Sequence, residues 1–177
     1  MHVELDAGAG LRLRPPRPDE AADALVLLAD PEVARWNPAP AVVDEASARA
    51  WCERGADWSA GTHATFSVVD AATGRFLGNI SLHEIRRDEQ TARIGYRVMP
   101  DARGRGVASA GVRAVTAWAF DALGLARVAL VHAVTNPASC RVAVNAGYAL
   151  EGVLRASGVE PDGTRHDEHL HARLAGD

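Results

Sequence analysis

The stretch DARGRGVASAGVRAV, Asp101 to Val115, sets two glycines two apart among arginines, immediately before a run with helical spacing. Glycine costs conformational entropy, and an ordinary helix start more often uses Ser, Thr, Asp or Asn as its cap. The run continues to Leu123 and places Val107, Gly111, Ala114, Val115 and Trp118 on one apolar stripe, which predicts a helix over Gly104–Leu123. Before it, ARIGYRVM, Ala92 to Met99, alternates as a strand does and stops at Pro100. The unit is therefore strand, glycine loop, helix. The first turn of a helix carries unpaired N–H groups and a partial positive charge, and glycines let such a backbone approach an anion closely. Two readings stay open on these residues alone: a tight strand-to-helix turn, or a cradle for a phosphate or pyrophosphate with Arg103 and Arg105 beside it.

Working outward, Leu11–Arg14 (LRLR) reads as a first strand, and a helix is expected from Asp19 to about Ala29. Asp30 to Pro40 reads as a short helical turn within a loop, and Asp44 to about Ser59 as a helix carrying Trp51. Three strands follow: Ala64–Asp70, the RFLGNISLHEI segment ending at Ile85, and Ala92–Met99. Short turns join them into an antiparallel meander. The order then alternates: helix, strand Arg127–Ala133, helix Pro137–Ala146, strand Tyr148–Arg155, and a last strand His166–Leu174 after the turn PDGT. There is no repeat or linker, so one mixed α/β domain over 1–177 is expected.

Composition narrows the function classes. The 177 residues carry a formal net charge of −4, which argues against a general nucleic-acid binder or a basic membrane-surface protein. All 19 basic residues are arginine. Without lysine there is no Walker loop, and GRGVAS lies too late in the chain, with serine at its third place, for a dinucleotide fingerprint. Cys52 and Cys140 are too few and too distant for a disulfide scaffold or a cysteine metal site. No signal peptide or membrane span is visible, so a cytoplasmic protein with no membrane or nucleic-acid partner is expected. His166, His169 and His171 cluster with Asp167 and Glu168, but strand alternation splits 166 from 169 and 171. A solvated strand face is expected there, and no metal.

The segment Arg103-Gly104-Arg105-Gly106-Val107-Ala108 resembles the R/Q-x-x-G-x-G/A motif of the GNAT superfamily of acyl-CoA N-acyltransferases. NPASCRVAVNAGYALEG, Asn136 to Gly152, resembles that family's N-x-x-S block. The opening LRLRPPRPDEAADAL and DPEVARWNP are similar to its RimJ/RimL-like branch. The resemblance spans about Leu11 to Leu174. It implies an α/β (α+β) GNAT fold, with a mixed, mostly antiparallel sheet flanked by helices and splayed between the fourth and fifth strands, Ala92–Met99 and Arg127–Ala133. A bulge in the fourth strand is expected to help open that gap.

The resemblance further implies acetyl-CoA as co-substrate, its pyrophosphate on the backbone of Arg103, Gly104, Arg105, Gly106, Val107, Ala108 and Ser109. The pantetheine arm would lie in the gap, against Val98, Met99, Asn136 and Ser139, and an N–H near Val98 would face the thioester carbonyl. Ser139 is the candidate donor to the leaving thiolate; the plainer alternative is a helix-start hydroxyl bonded to nearby backbone. Many relatives use a tyrosine four residues later, where this chain has Ala143. Several carry glutamate where this chain has Arg93, so Glu84 and His83 are substitute bases on location only, with water as the other route. The implied activity is N-acetyl transfer to a primary amine, either a protein N-terminus or an amine-bearing small molecule. Because Arg93 and Ala143 depart from the pattern, a non-catalytic acyl-CoA sensor is the alternative. Asp167 either faces the acceptor or supports the last strand, and Trp36 either packs or lines the acceptor pocket. Dimers are frequent among such relatives, and a homodimer is one assembly open to the chain.

Overall fold

The computed structural model describes residues 3–37, 39, 41–160 and 162–177. Pro38 and Pro40 of the expected 30–40 turn, and Pro161 of the PDGT turn, lie outside them. The strands are β1 (Leu5–Gly8), β2 (Leu11–Arg14), β3 (Ala64–Asp70), β4 (Phe76–Arg86), β5 (Thr91–Val98), β6 (Arg127–Ala133), β7 (Ala149–Val159) and β8 (Arg165–Leu174). The helices are α1 (Ala21–Ala29), α2 (Pro31–Trp36), α3 (Glu45–Ala56), α4 (Val107–Asp121) and α5 (Pro137–Asn145). The strands form one sheet in the order β1-β2-β3-β4-β5-β6-β8-β7, and every neighbouring pair except β5–β6 is antiparallel. The extra first strand was not expected. It is a short hairpin partner of β2, turned through Gly8, Ala9 and Gly10, all at positive φ. The expected fourth and fifth strands are thus β5 and β6.

Strand alternation sorts the sheet into two faces. Phe66, Ile80 and Tyr96 are cross-strand partners, as are Ala64, Leu82 and Ile94. This apolar row packs in one cluster with Val107, Ala114, Val115 and Trp118 of α4, which belong to the stripe read from the sequence, and with Val112, which that stripe does not include. The helix sits so close that a β-carbon on Gly111 would meet Ile80 Cγ1 at 2.9 Å. The opposite row is polar: Arg14, Ser67, Asn79 and Arg97. There the Glu20 carboxylate accepts from Arg14 Nη2 at 2.7 Å, Ser67 Oγ at 2.6 Å and the Arg17 N–H at 2.9 Å. A buried carboxylate so fully bonded fixes the entry of α1 against the sheet.

The feature that positions the site is where β5 and β6 part. They pair only over Thr91–Arg93 and Arg127–Ala129. Beyond that, β5 follows β4 as far as the Gly78–Val98 pair, while β6 follows β8 to the Ala133–Glu168 pair. Each strand is held by its own antiparallel partner, and sheet twist carries the two pairs apart. The bulge expected in Ala92–Met99 is absent: the register between β5 and β4 is unbroken from Val98 to Arg93. The irregularity lies instead between His83 and Arg86 of β4, where Glu84 has a φ of +51°.

Candidate active site

A cleft of about 830 Å³ occupies the gap between β5 and β6. One end is closed by the glycine loop, where Gly104 and Gly106 have φ of +72° and +79°. These are conformations that other residues adopt only under strain. Gly106 is the N-cap of α4 and supplies no side-chain cap, so the first-turn N–H groups are left bare. A β-carbon at either glycine would meet nothing within 4 Å, so a side chain there has open space beside the loop.

The floor of the cleft is β5. The Met99 N–H donates to the Leu77 carbonyl at 2.9 Å, so strand alternation turns the Val98 N–H the other way, toward the opening. Two carbonyls on that side have side-chain donors. Tyr96 O accepts from Asn37 Nδ2 at 3.3 Å, and Val98 O from Arg103 Nε at 3.2 Å. Asn37 in turn receives Arg97 twice, Nε on its carbonyl at 2.9 Å and Nη2 on its side-chain oxygen at 2.8 Å. Burial lowers the Arg97 pKa to about 10, which leaves it a cation at neutral pH. The end of α2 is thereby clipped onto β5.

The opposite wall is the start of α5. Asn136 caps it, its side chain accepting from the Ser139 N–H at 3.1 Å. The Ser139 hydroxyl does not turn back to the backbone; it lies 2.9 Å from Tyr96 Oη across the cleft. Burial pushes the Tyr96 pKa up, with the Ser139 contact a smaller opposing effect. Tyr96 therefore stays protonated at neutral pH, and the pair is a linked set of two hydroxyls.

Most residues expected at the cofactor line the cleft: Val98, Arg103, Gly104, Gly106, Val107, Ala108, Ser109, Asn136 and Ser139. Met99 and Arg105 are not among the lining. Met99 has spent its N–H on Leu77 and packs against the core. Arg103 reaches the cleft with its guanidinium already engaged: it is ion-paired to Asp30, the same carboxylate that caps α2 through the Glu32 and Val33 N–H groups. That pairing holds Asp30 below the usual carboxylate range. Glu84 lies at the end of the expected third strand, β4, but that place is outside the cleft lining, which removes it as a base within reach of the site. Its positive φ turns the carboxylate to Arg93 at 3.3 Å and His83 at 3.7 Å, about half exposed and away from the cleft lining. His83 is also outside the lining, and burial of its ring lowers its pKa. Asp167 supports the last strands, accepting from the Ala156 N–H at 2.8 Å, while its carbonyl takes the Val134 N–H. Trp36 lines the cleft with Glu32 and Arg35; Trp51, on α3, packs against the apolar cluster between α1 and α3.

Sequence reasoning missed Tyr96. The alternation of Ile94, Tyr96 and Val98 marked its face, but its partner is 43 residues away and on another element.

The GNAT acetyltransferase domain model matches residues 10–149, a span from β2 through the glycine loop to the start of β7. The chain belongs to the GNAT acetyltransferase family. Among curated relatives, YoaA of Bacillus subtilis (strain 168), named an uncharacterized N-acetyltransferase, is 33% identical over 100 residues, 56% of either chain. The ribosomal-protein-serine acetyltransferase of Escherichia coli (strain K12) is 32% identical over 98 residues, 55% of this chain and 54% of its own. The matched stretch thus spans a little over half the length of these relatives. Among solved structures, RimL, a ribosomal α-N-protein acetyltransferase in complex with coenzyme A, superimposes with a TM-score of 0.86 at 20% identity, covering 97% of this chain and 98% of that one. The microcin C7 self-immunity acetyltransferase MccE, in complex with acetyl-CoA and AMP, gives 0.83 at 19% identity, covering 96% and 94%. This GNAT member therefore shares their fold over almost its whole described length.

Proposed function

We propose that this GNAT member transfers the acetyl group of acetyl-CoA to a primary amine by direct attack, with the α-amine of a protein or peptide N-terminus as the favoured acceptor. The observation that carries the reading is the parted β5–β6 gap, with bare α4 amides at one end and the Tyr96–Ser139 hydroxyl pair inside it. The amides of residues 104–109 grip the pyrophosphate, and the pantetheine arm extends the broken sheet between β5 and β6. The acceptor nitrogen attacks the thioester carbon. The oxyanion that develops is met by the Val98 N–H, a donor already aimed before reaction begins. As the C–N bond forms and the C–S bond breaks, the leaving thiolate takes a proton through Ser139, backed by Tyr96. Tyr96 thus supplies from β5 the hydroxyl that Ala143 cannot. Before attack the acceptor ammonium gives one proton to water, which suits an α-amino group with a free pKa near ~8 better than a lysine near ~10.4. The second proton, shed by the nitrogen once the C–N bond has formed, returns through Tyr96 to Ser139 and replaces the one given to the thiolate. The N-terminal reading is also supported by relatives named for ribosomal-protein acetylation.

The test is coenzyme A release with a panel of amines. Peptides with a free N-terminus are expected to release thiol, and the same peptides pre-acetylated at that position are not. Faster release with small polyamines or aminoglycosides would move the acceptor to a small molecule. Tight acetyl-CoA binding with no release for any amine would make the chain an acyl-CoA sensor and overturn the enzyme.

A further inference from the structure

The solvated face expected for His169 and His171 is inside the protein. His171 is fully buried, and His132 on β6 is 6% exposed. In the β6–β8 register His132 is opposite His169, and Leu130 is opposite His171, so all three imidazoles leave the same face of the sheet. Their rings pack together, with His132 stacked on His171 at 5.2 Å between centroids and His169 edge-on to His132 at 5.3 Å. Cys140, one residue beyond Ser139 on α5, covers them. One nitrogen from each histidine and the Cys140 sulfur all lie within 4.8 Å of one another.

A packed trio of imidazoles is a poor core. His132 Nε2, His169 Nδ1 and both ring nitrogens of His171 are buried without a hydrogen-bond partner. The Tyr148 backbone is near enough to His171 to bias its charge, but outside hydrogen-bonding geometry. An apolar residue would fill each place without an orphaned nitrogen. His132 shows what the orphans are suited for. Its Nδ1 is 2.8 Å from the Ala133 carbonyl, which can only accept, so the proton is on Nδ1 and the lone pair is on Nε2. A metal-binding histidine is fixed in the same way, one nitrogen donating to a carbonyl and the other bare.

We propose that His132, Cys140, His169 and His171 form a tetrahedral site for a divalent d10 metal, zinc foremost, which ties β6, β8 and the first turn of α5 together. Zinc–nitrogen bonds of ~2.0–2.1 Å and a zinc–sulfur bond of ~2.3 Å require ligand atoms roughly 3.3–3.6 Å apart. Small side-chain rotations reach that from the observed spacing. Binding forms three metal–nitrogen bonds and one metal–sulfur bond, and the Cys140 proton is released to solvent. With four protein ligands and no open position the site is structural rather than catalytic. Its effect on chemistry is positional: it anchors the turn that presents Ser139 to Tyr96.

The test uses the untagged full chain, stripped of metal and titrated with Co(II) and Zn(II). One equivalent of Co(II) is expected to give the intense visible bands of a tetrahedral centre and a thiolate-to-cobalt charge-transfer band. Cys140→Ser, with Cys52 left in place, should lose that charge-transfer band. It should also weaken metal binding by more than the roughly 10–100-fold that loss of an outer-shell partner costs. Zn(II) should raise the thermal unfolding midpoint of the stripped wild-type chain, and a chelator should reverse the rise. That readout stands alone if the variant does not fold. No stoichiometric cobalt spectrum, a charge-transfer band that survives in Cys140→Ser, or a midpoint indifferent to Zn(II) would each overturn the site.

Discussion

Gly106→Glu is expected to lose acetyl-CoA affinity by more than about 100-fold, because it breaks the grip on the diphosphate twice over. Gly106 has a φ of +79°, and a side chain there carries strain of about 1–2 kcal/mol. With nothing within 4 Å of the would-be β-carbon, the new side chain has room to fold into the cradle and put a carboxylate where the phosphates belong. Gly106→Ala separates the two effects. It brings the backbone strain alone and is expected to cost about tenfold or less by the same figure. Calorimetric titration with acetyl-CoA reads both, and the thermal midpoint reports whether the variant is folded. Equal affinity in wild type and Gly106→Glu would remove the pyrophosphate from the glycine loop.

Ser139→Ala should lower kcat by about 100-fold while KM for acetyl-CoA changes little, the signature of an interaction made mainly in the transition state. Tyr96→Phe should act in the same direction. The two hydroxyls are 2.9 Å apart and in the proposed mechanism serve one leaving group, so the double variant should lose hardly more than the worse single one. Because burial pushes the Tyr96 pKa up, its phenol stays protonated across the neutral range, and its ionisation should not limit the rate there. Rates measured under saturating acetyl-CoA check both points. Full activity in Ser139→Ala would return Ser139 to a helix-start residue and leave the thiolate to solvent; strictly additive losses would make the two hydroxyls independent of one another.

What could be read from the chain follows from the range of each interaction. The positive φ at Gly104 and Gly106 is a local need, so the loop was visible in a few residues. The stripe on α4 and the alternation in β5 are local too. β1 escaped because a four-residue strand ending in glycine carries almost no pattern of its own, and its existence depends on pairing with β2. The sequence offers Glu84 as a base on location only, at the end of the third strand, and location alone does not give the direction of a side chain on a residue at positive φ. Arg103 could be assigned to the loop but not to Asp30, its ion-pair partner 73 residues earlier. The histidines show the same limit more sharply. His169 and His171 share a face by simple alternation, but only the β6–β8 register and the docking of α5 bring His132 and Cys140 to them.

The grip of the amides at the mouth of α4 on the diphosphate of coenzyme A is what the proposed activity depends on. It is tested most directly by following backbone N–H resonances of the labelled chain during titration with coenzyme A. The largest perturbations are expected at Gly104, Arg105, Gly106, Val107, Ala108 and Ser109, with a second group at Tyr96 and Val98. Saturable binding that leaves those six amides unmoved would contradict it.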